Sequence, residues 1–151
     1  MEPVSCRVPS GGGAENIVER IFALRTIAVV GCSPKPERPS HYVAAYLKEQ
    51  GYRIIPVNPG QKEILGEECF PSLSAIHEPV DVVDVFRRSE QVLPIIQEAI
   101  AVKAKALWLQ DEITHPEGEA LAREAGLMVV SNDCMLRRHY QHQRKGENYG
   151  K

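Results

Sequence analysis

The sequence predicts one α/β domain, a doubly wound sheet of five parallel strands. Three observations carry this. Short β-branched runs alternate with amphipathic helical stretches between about residues 14 and 142, as expected of consecutive βαβ units. The first run, Thr26-Ile27-Ala28-Val29-Val30, is apolar without alternation, which suits a central strand covered on both faces. It ends at Gly31 and a loop rich in proline and basic residues, at the strand end where open α/β sheets bind ligands.

Residues 1–13, with Ser10-Gly11-Gly12-Gly13, read as a flexible tail. Ala14 to Leu24 has helical spacing, with Ile17, Ile21 and Leu24 on one stripe. After the first strand, Ser40 is the expected N-cap of a helix over His41 to Gln50, and Gly51 its C′ stop. Arg53 to Val57 is the second strand. Pro56 cannot donate to a ladder and calls for an edge or strand-end position. Ile64 to Phe70, with Gly66 between β-prone pieces, fits a small hairpin. Val80 to Phe86 is the third strand. The next helix carries Val92, Ile95, Ile96, Ala99 and Ile100 on one stripe, with Pro94 in its first turn or at a kink. Lys105 to Leu109 is the fourth strand, Pro116 to Ala125 a helix and Leu127 to Ser131 the fifth strand. A short helix from about Cys134 to His142 and a polar tail over 143–151 complete the chain. The expected strand order is 3-2-1-4-5, with its switch point between the first and fourth strands.

A chain of 151 residues is long enough to bury a proper core. Hydrophobic residues at 43% and charged residues at 25% are globular values. The net charge of −2 provides no global field for nucleic acid or anionic lipid. Any anion site must therefore be local. The four cysteines, Cys6, Cys32, Cys69 and Cys134, form no C-x-x-C pair and no Cys/His cluster, which argues against structural zinc or a disulfide framework. Residues 1–13 lack the apolar core of a signal peptide, and no apolar run approaches the ~18 residues of a membrane span. A cytoplasmic protein with reduced thiols is expected.

The loop Gly31-Cys32-Ser33-Pro34-Lys35-Pro36-Glu37-Arg38-Pro39-Ser40 combines what phosphate binding needs. Gly31 permits close backbone approach, Ser33 offers a hydroxyl, and Lys35 and Arg38 add positive charge. The start of the next helix, beside Ser40, supplies N–H groups. A rigid βα turn with solvated charges is the plainer alternative. G-x-G-x-x-G is absent, and the second strand ends in Asn58-Pro59 where an NAD site holds an acid. G-x-x-x-x-G-K-[ST] is also missing. Lys62, and Arg87-Arg88 after the third strand, would instead suit a ligand with a ribose-bound phosphate.

The segments IAVVGCSPKPERPSHYVAAYL, GYRIIPVNPG with EILGEECFPSL, VDVVDVFRRSEQV and ALWLQ occur in order over about residues 20 to 140. In them the chain resembles the stand-alone CoA-binding domain proteins, small relatives of the CoA-binding domain of the succinyl-CoA synthetase α subunit. The resemblance implies a Rossmann-like fold that binds coenzyme A or an acyl-CoA. It implies that Gly31, Ser33, Lys35, Arg38 and Ser40 cradle phosphates, with Cys32 and Pro34 in the same loop. Asn58, Pro59 and Lys62 would flank the adenosine part. Val85, Phe86 and Arg87 with Val92 would wall the adenine or pantetheine arm, with Gln110 also at the site. The ribose 3′-phosphate of CoA accounts for cations where NAD sites have an acid. The chain departs from the family after Gln110, where Asp111-Glu112 stands in place of a glycine-containing step. That adds bulk and negative charge at the expected pocket mouth.

No catalytic residue and no metal ligand is assigned. Cys134, after the fifth strand, could meet a thiol or thioester, but no positioned base is evident. Cys32 is discounted in the same way, although Lys35 and a helix N-terminus could lower its thiol pKa. His139 and His142 read as a surface face, and His41 as a ligand donor or a solvated residue. Asp81 and Asp84, three apart on a strand, face opposite ways and form no dyad; Asp84 would cap a helix or orient Arg87. Trp108 reads as core. The leading expectation is a non-catalytic CoA or acyl-CoA binding protein. Its rivals are a CoA-dependent acyl transfer enzyme and a subunit completing a CoA ligase or acyltransferase in trans. Neither nucleic acid nor membrane is an expected partner, while a ligase-type partner protein and self-association stay open.

Overall fold

In the computed structural model, residues 12–149 are described, with side chains from 17 to 144. Most of the expected tail over 1–13, including Cys6, lies outside the described residues. The element order is α1 (Gly12–Phe22), β1 (Thr26–Val30), α2 (Pro39–Glu49), β2 (Arg53–Val57), β3 (Glu63–Ile64), β4 (Glu67–Glu68), β5 (Val82–Val85), α3 (Val92–Ala101), β6 (Ala106–Leu109), α4 (Pro116–Glu124), β7 (Met128–Val130) and α5 (Met135–Tyr149). The expected α/β class and Rossmann-like parallel sheet are both present.

The strand order is not the expected one. The sheet runs β2-β1-β5-β6-β7, so the third large strand pairs with β1 and not with β2. Handedness explains the difference. The crossover from β1 to β2 runs through α2, whose Val43, Ala44 and Leu47 pack with α1 and α5 on one face. The connection from β2 to β5 carries no α-helix, and its Phe70, Leu73, Ala75 and Ile76 pack on the opposite face with α3 and α4. Right-handed crossovers on opposite faces carry the chain in opposite directions across the sheet. β5 therefore lands on the far side of β1. The switch point moves with it, to between β1 and β5, where one loop turns to α2 and the other to α3.

Each strand is shared between two apolar layers. Ala28, Val30, Val83, Val85, Leu107 and Leu109 face α3 and α4. Ile27, Val29, Val82, Ala106 and Trp108 face α1, α2 and α5. Trp108 is core, as expected: it is fully buried, stacks on Phe22 at 5.7 Å and donates Nε1–H to Asp133 O at 2.9 Å.

Local sequence signals resolve as follows. Pro56 lies in an edge strand, paired on one side with β1. The hairpin β3–β4 turns through Leu65 and Gly66, both at positive φ (58° and 74°), as a two-residue hairpin turn demands. Pro94 is in the first turn of α3. Gly51 follows the Gln50 C-cap at φ 101°. Ser40 is not the N-cap: α2 begins at Pro39 after Arg38, and the Ser40 hydroxyl is turned inward. α5 extends to Tyr149, past the boundary expected near residue 142. His139 is no surface residue either. It is buried among Phe22, Tyr46 and Tyr52, bonded through Nδ1 to Tyr46 Oη at 2.9 Å, and burial lowers its pKa, with His142 adding to the effect.

Candidate ligand site

A cavity of about 960 Å3 opens over the carboxyl ends of β1, β5 and β6, at the switch point. Its first wall is the loop after β1. Gly31 sits at φ 87°, gives its N–H to Val57 O at 2.9 Å, and lies where an added Cβ would stand 2.5 Å from Phe86 O. Only glycine fits there, on both conformational and steric grounds. The loop is braced from within. Ser33 N donates to Ser40 Oγ at 2.9 Å, Lys35 N to Ser33 Oγ at 3.1 Å, His41 Nδ1 to Ser33 O at 2.8 Å and Asn58 Nδ2 to Cys32 O at 2.8 Å. Ser40 and His41 thus hold the loop in shape, and the side chains of Lys35 and Arg38 remain at the cavity.

The second wall follows β5 and contributes Phe86, Arg87, Arg88, Ser89 and Glu90. Ser89 Oγ accepts from Thr114 N at 3.1 Å, which ties this loop to the one after β6. Lys48, Arg53, Lys105, Arg123, Arg137 and Arg138 each meet a carboxylate. Lys35, Arg38, Arg87 and Arg88 all line the cavity. Among the described residues no carboxylate lies within ion-pair distance of these four. Unpaired cations around a concave site form a local anion trap in a chain of net charge −2.

The third wall is the loop after β6 with the start of α5: Gln110, Asp111, Glu112, Ile113 and Cys134. The Asp111 charge is compensated, because Arg137 forks its two oxygens at 3.0 and 3.2 Å and holds the carboxyl below its ordinary range. Glu112 adopts φ 68° and gives its N–H to Asn132 Oδ1 at 2.7 Å. Glu112 thus holds a left-handed backbone conformation of the kind that glycine favours. Below this wall, Asp84 is fully buried on β5 and accepts a hydrogen bond from Gln110 Nε2 at Oδ1. Burial pushes its carboxyl up to about 7, against the pull of Gln110. It neither caps a helix nor orients Arg87.

Of the fifteen site residues expected from sequence, the cavity is lined by Gly31, Ser33, Lys35, Arg38, Ser40, Asn58, Phe86, Arg87 and Gln110. Cys32 is buried beneath the loop, its Sγ 3.8 Å from Ser40 O. Burial, with Cys69 and Asp84 adding, pushes its thiol up to about 12, opposite to the direction in which Lys35 could act, and the discount on Cys32 as a nucleophile fits this. Pro34, Pro59 and Lys62 are exposed and do not line the cavity. Val85 and Val92 are fully buried in the layer under α3. Tyr42 and Val43 were missed. They share a helix face with Pro39 by the i, i+3, i+4 rule, so the signal was present. Among the described residues no cluster of three His, Cys, Asp or Glu is arranged to hold a metal, and no helix is long and apolar enough to cross a membrane.

The family model described as a CoA binding domain matches residues 25–140. The chain belongs to the CoA binding domain family. This CoA binding domain is 37% identical over 131 residues to the uncharacterized protein YneT of Bacillus subtilis (strain 168), covering 87% of this chain and 95% of that one. A solved structure of a hypothetical protein from Pyrococcus horikoshii OT3 is 40% identical and superposes with a TM-score of 0.82 over 93% of this chain and 98% of that chain. The domain is also 26% identical over 128 residues to the ADP-forming acetate–CoA ligase I of Archaeoglobus fulgidus, covering 78% of this chain and 19% of the ligase. The family expected from the sequence segments is thereby established.

Proposed function

We propose that this protein binds coenzyme A or an acyl-CoA, as a small binding protein without catalysis of its own. The observation that carries the reading is the set of four cations, Lys35, Arg38, Arg87 and Arg88, without carboxylate partners around one cavity of a CoA binding domain. The ligand phosphates lie against these cations and the loop after β1. The arm runs toward Gln110, Ile113 and Cys134. A volume of about 960 Å3 is at the upper end for small-molecule sites and suits a long, branched ligand. The extra ribose phosphate of CoA uses the positive charge that NAD would leave idle. Calorimetric titration of the purified protein with CoA and with NAD tests the reading. Micromolar binding of CoA with NAD at least about 100-fold weaker, a difference of about 2.7 kcal/mol, is expected. Millimolar CoA binding, or equal affinities, would reject it.

One observation favours a second reading. The half-buried Cys134 lines the cavity, so an acyl group brought in as a thioester could transfer to its thiol. In that reaction the Cys134 sulfur bonds the acyl carbon, the C–S bond to CoA breaks and the Cys134 proton leaves on the CoA thiol. Intact-mass spectrometry after incubation with acetyl-CoA decides it: an acetyl adduct lost in Cys134→Ser supports transfer, and an unmodified chain excludes it. A role as the CoA-binding part of a larger ligase assembly is a further proposal, supported by the match to 19% of the Archaeoglobus ligase. Co-purification of a ligase-type protein from native lysate tests it.

A further inference from the structure

Asp84 breaks the pattern of its strand. Its neighbours in register are Val29 on β1 and Trp108 on β6, both fully buried and apolar on the same face. An acid in that layer is costly to bury unless its oxygens are well partnered. Oδ1 accepts from Gln110 Nε2, whereas Oδ2 has no partner among the described residues. The molecule thus holds a poorly solvated carboxyl directly beneath a cavity-lining residue.

Gln110 is 4% exposed and its amide is held from two sides. The Met135 N–H can only donate, so the Gln110 atom it meets at 3.4 Å is Oε1. The Asp84 oxygen calls for a donor, so the atom facing it is Nε2. Two independent partners therefore select one of the two amide orientations. An amide nitrogen carries two N–H bonds. One is given to Asp84, and the other belongs to a residue that lines the cavity.

We propose that Asp84 is a positioning residue that locks the Gln110 amide so that its second Nε2–H serves as a donor to a carbonyl oxygen of the ligand arm. The carbonyl belongs to an amide or a thioester, and the inference rests on the reading of the cavity as a CoA or acyl-CoA site. Asp84 itself does not touch the ligand. Gln110 contributes a donor only, which favours a carbonyl over a hydroxyl or amine at that point of the arm.

The test compares CoA with adenosine 3′,5′-bisphosphate, which keeps phosphates and base but lacks the arm. Both are titrated calorimetrically into the native chain and into Asp84→Leu, Asp84→Asn and Gln110→Glu. In parallel, 15N NMR follows the Gln110 side-chain amide of the native chain. CoA affinity is expected to fall about tenfold in Gln110→Glu and about fivefold in Asp84→Leu, with the bisphosphate unchanged. Asp84→Asn, which can still accept from Nε2, should stay within about twofold of native. CoA, but not the bisphosphate, should shift the Gln110 amide resonance. Equal losses for both ligands, no loss for either, or an unmoved resonance on CoA binding would overturn the role of Asp84 while leaving CoA binding intact. The native chain binding neither ligand would instead remove the functional reading itself, and this inference with it. The resonance is read on the native chain, so it stands even if a variant fails to fold.

Discussion

Gly31 and the Phe86 carbonyl oxygen approach so closely that a Cβ on residue 31 would lie 2.5 Å from it. This contact joins the ends of β1 and β5 at the switch point, and both walls of the cavity spring from it. Gly31→Ala meets the clash and the φ of 87° together. The variant should lose about 2–4 kcal/mol of stability by urea denaturation. A loss below about 1 kcal/mol would mean that the loop relaxes freely.

The charges at the cavity should act in proportion to their burial. Arg87 is half-buried and Arg38 exposed. Arg87→Gln is expected to weaken CoA about tenfold, and Arg38→Gln about threefold because solvent screens it. Raising the salt concentration should weaken CoA binding to the native chain more than to either variant. Calorimetry at two ionic strengths measures both effects.

Glu112 holds φ 68° without being glycine, and the hydrogen bond it makes to Asn132 uses its backbone N–H. Glu112→Gly keeps that bond and relieves the left-handed strain. It should raise stability by about 0.5–1 kcal/mol, read as an upward shift of the urea midpoint. It also removes a negative charge from the cavity wall, so CoA affinity should rise and not fall.

Asp84 makes stability depend on pH in a direction unusual for a carboxylate. Burial raises its pKa from 3.8 to about 7, so between these values the folded chain retains a proton that the unfolded chain has released. Stability from this group is therefore lost as pH rises through that window, by up to about 1.4 kcal/mol per pH unit. Asp84→Asn removes the effect. Its stability relative to the native chain should improve by about 2–3 kcal/mol between pH 5 and pH 8. His139, lowered by burial, acts in the opposite direction as pH falls, but both chains carry it and it cancels in the comparison.

What could be read in the sequence was local. The run Thr26–Val30 ending in Gly31, the edge position of Pro56 and the Leu65-Gly66 turn are each determined by short-range backbone physics. The strand order was not legible, because it depends on which face the helix-free connection between β2 and β5 crosses. At the site, the loop after β1 and Arg87 were legible as cations beside a glycine turn. Val85 was misplaced because side chains alternate across a strand and it points into the layer under α3, and Val92 because, as the first residue of α3, it packs into that same layer. The Asp84–Gln110 pair joins β5 to the loop after β6, positions 26 residues apart that only the pairing of β5 with β6 brings together.

A crystal structure of the protein soaked with CoA should show CoA in the cavity over β1, β5 and β6, its phosphates against Lys35, Arg38, Arg87 and Arg88 and its arm beside Gln110. CoA elsewhere, such as the groove between Tyr46 and Tyr140, or an empty cavity at saturating CoA, would contradict that placement.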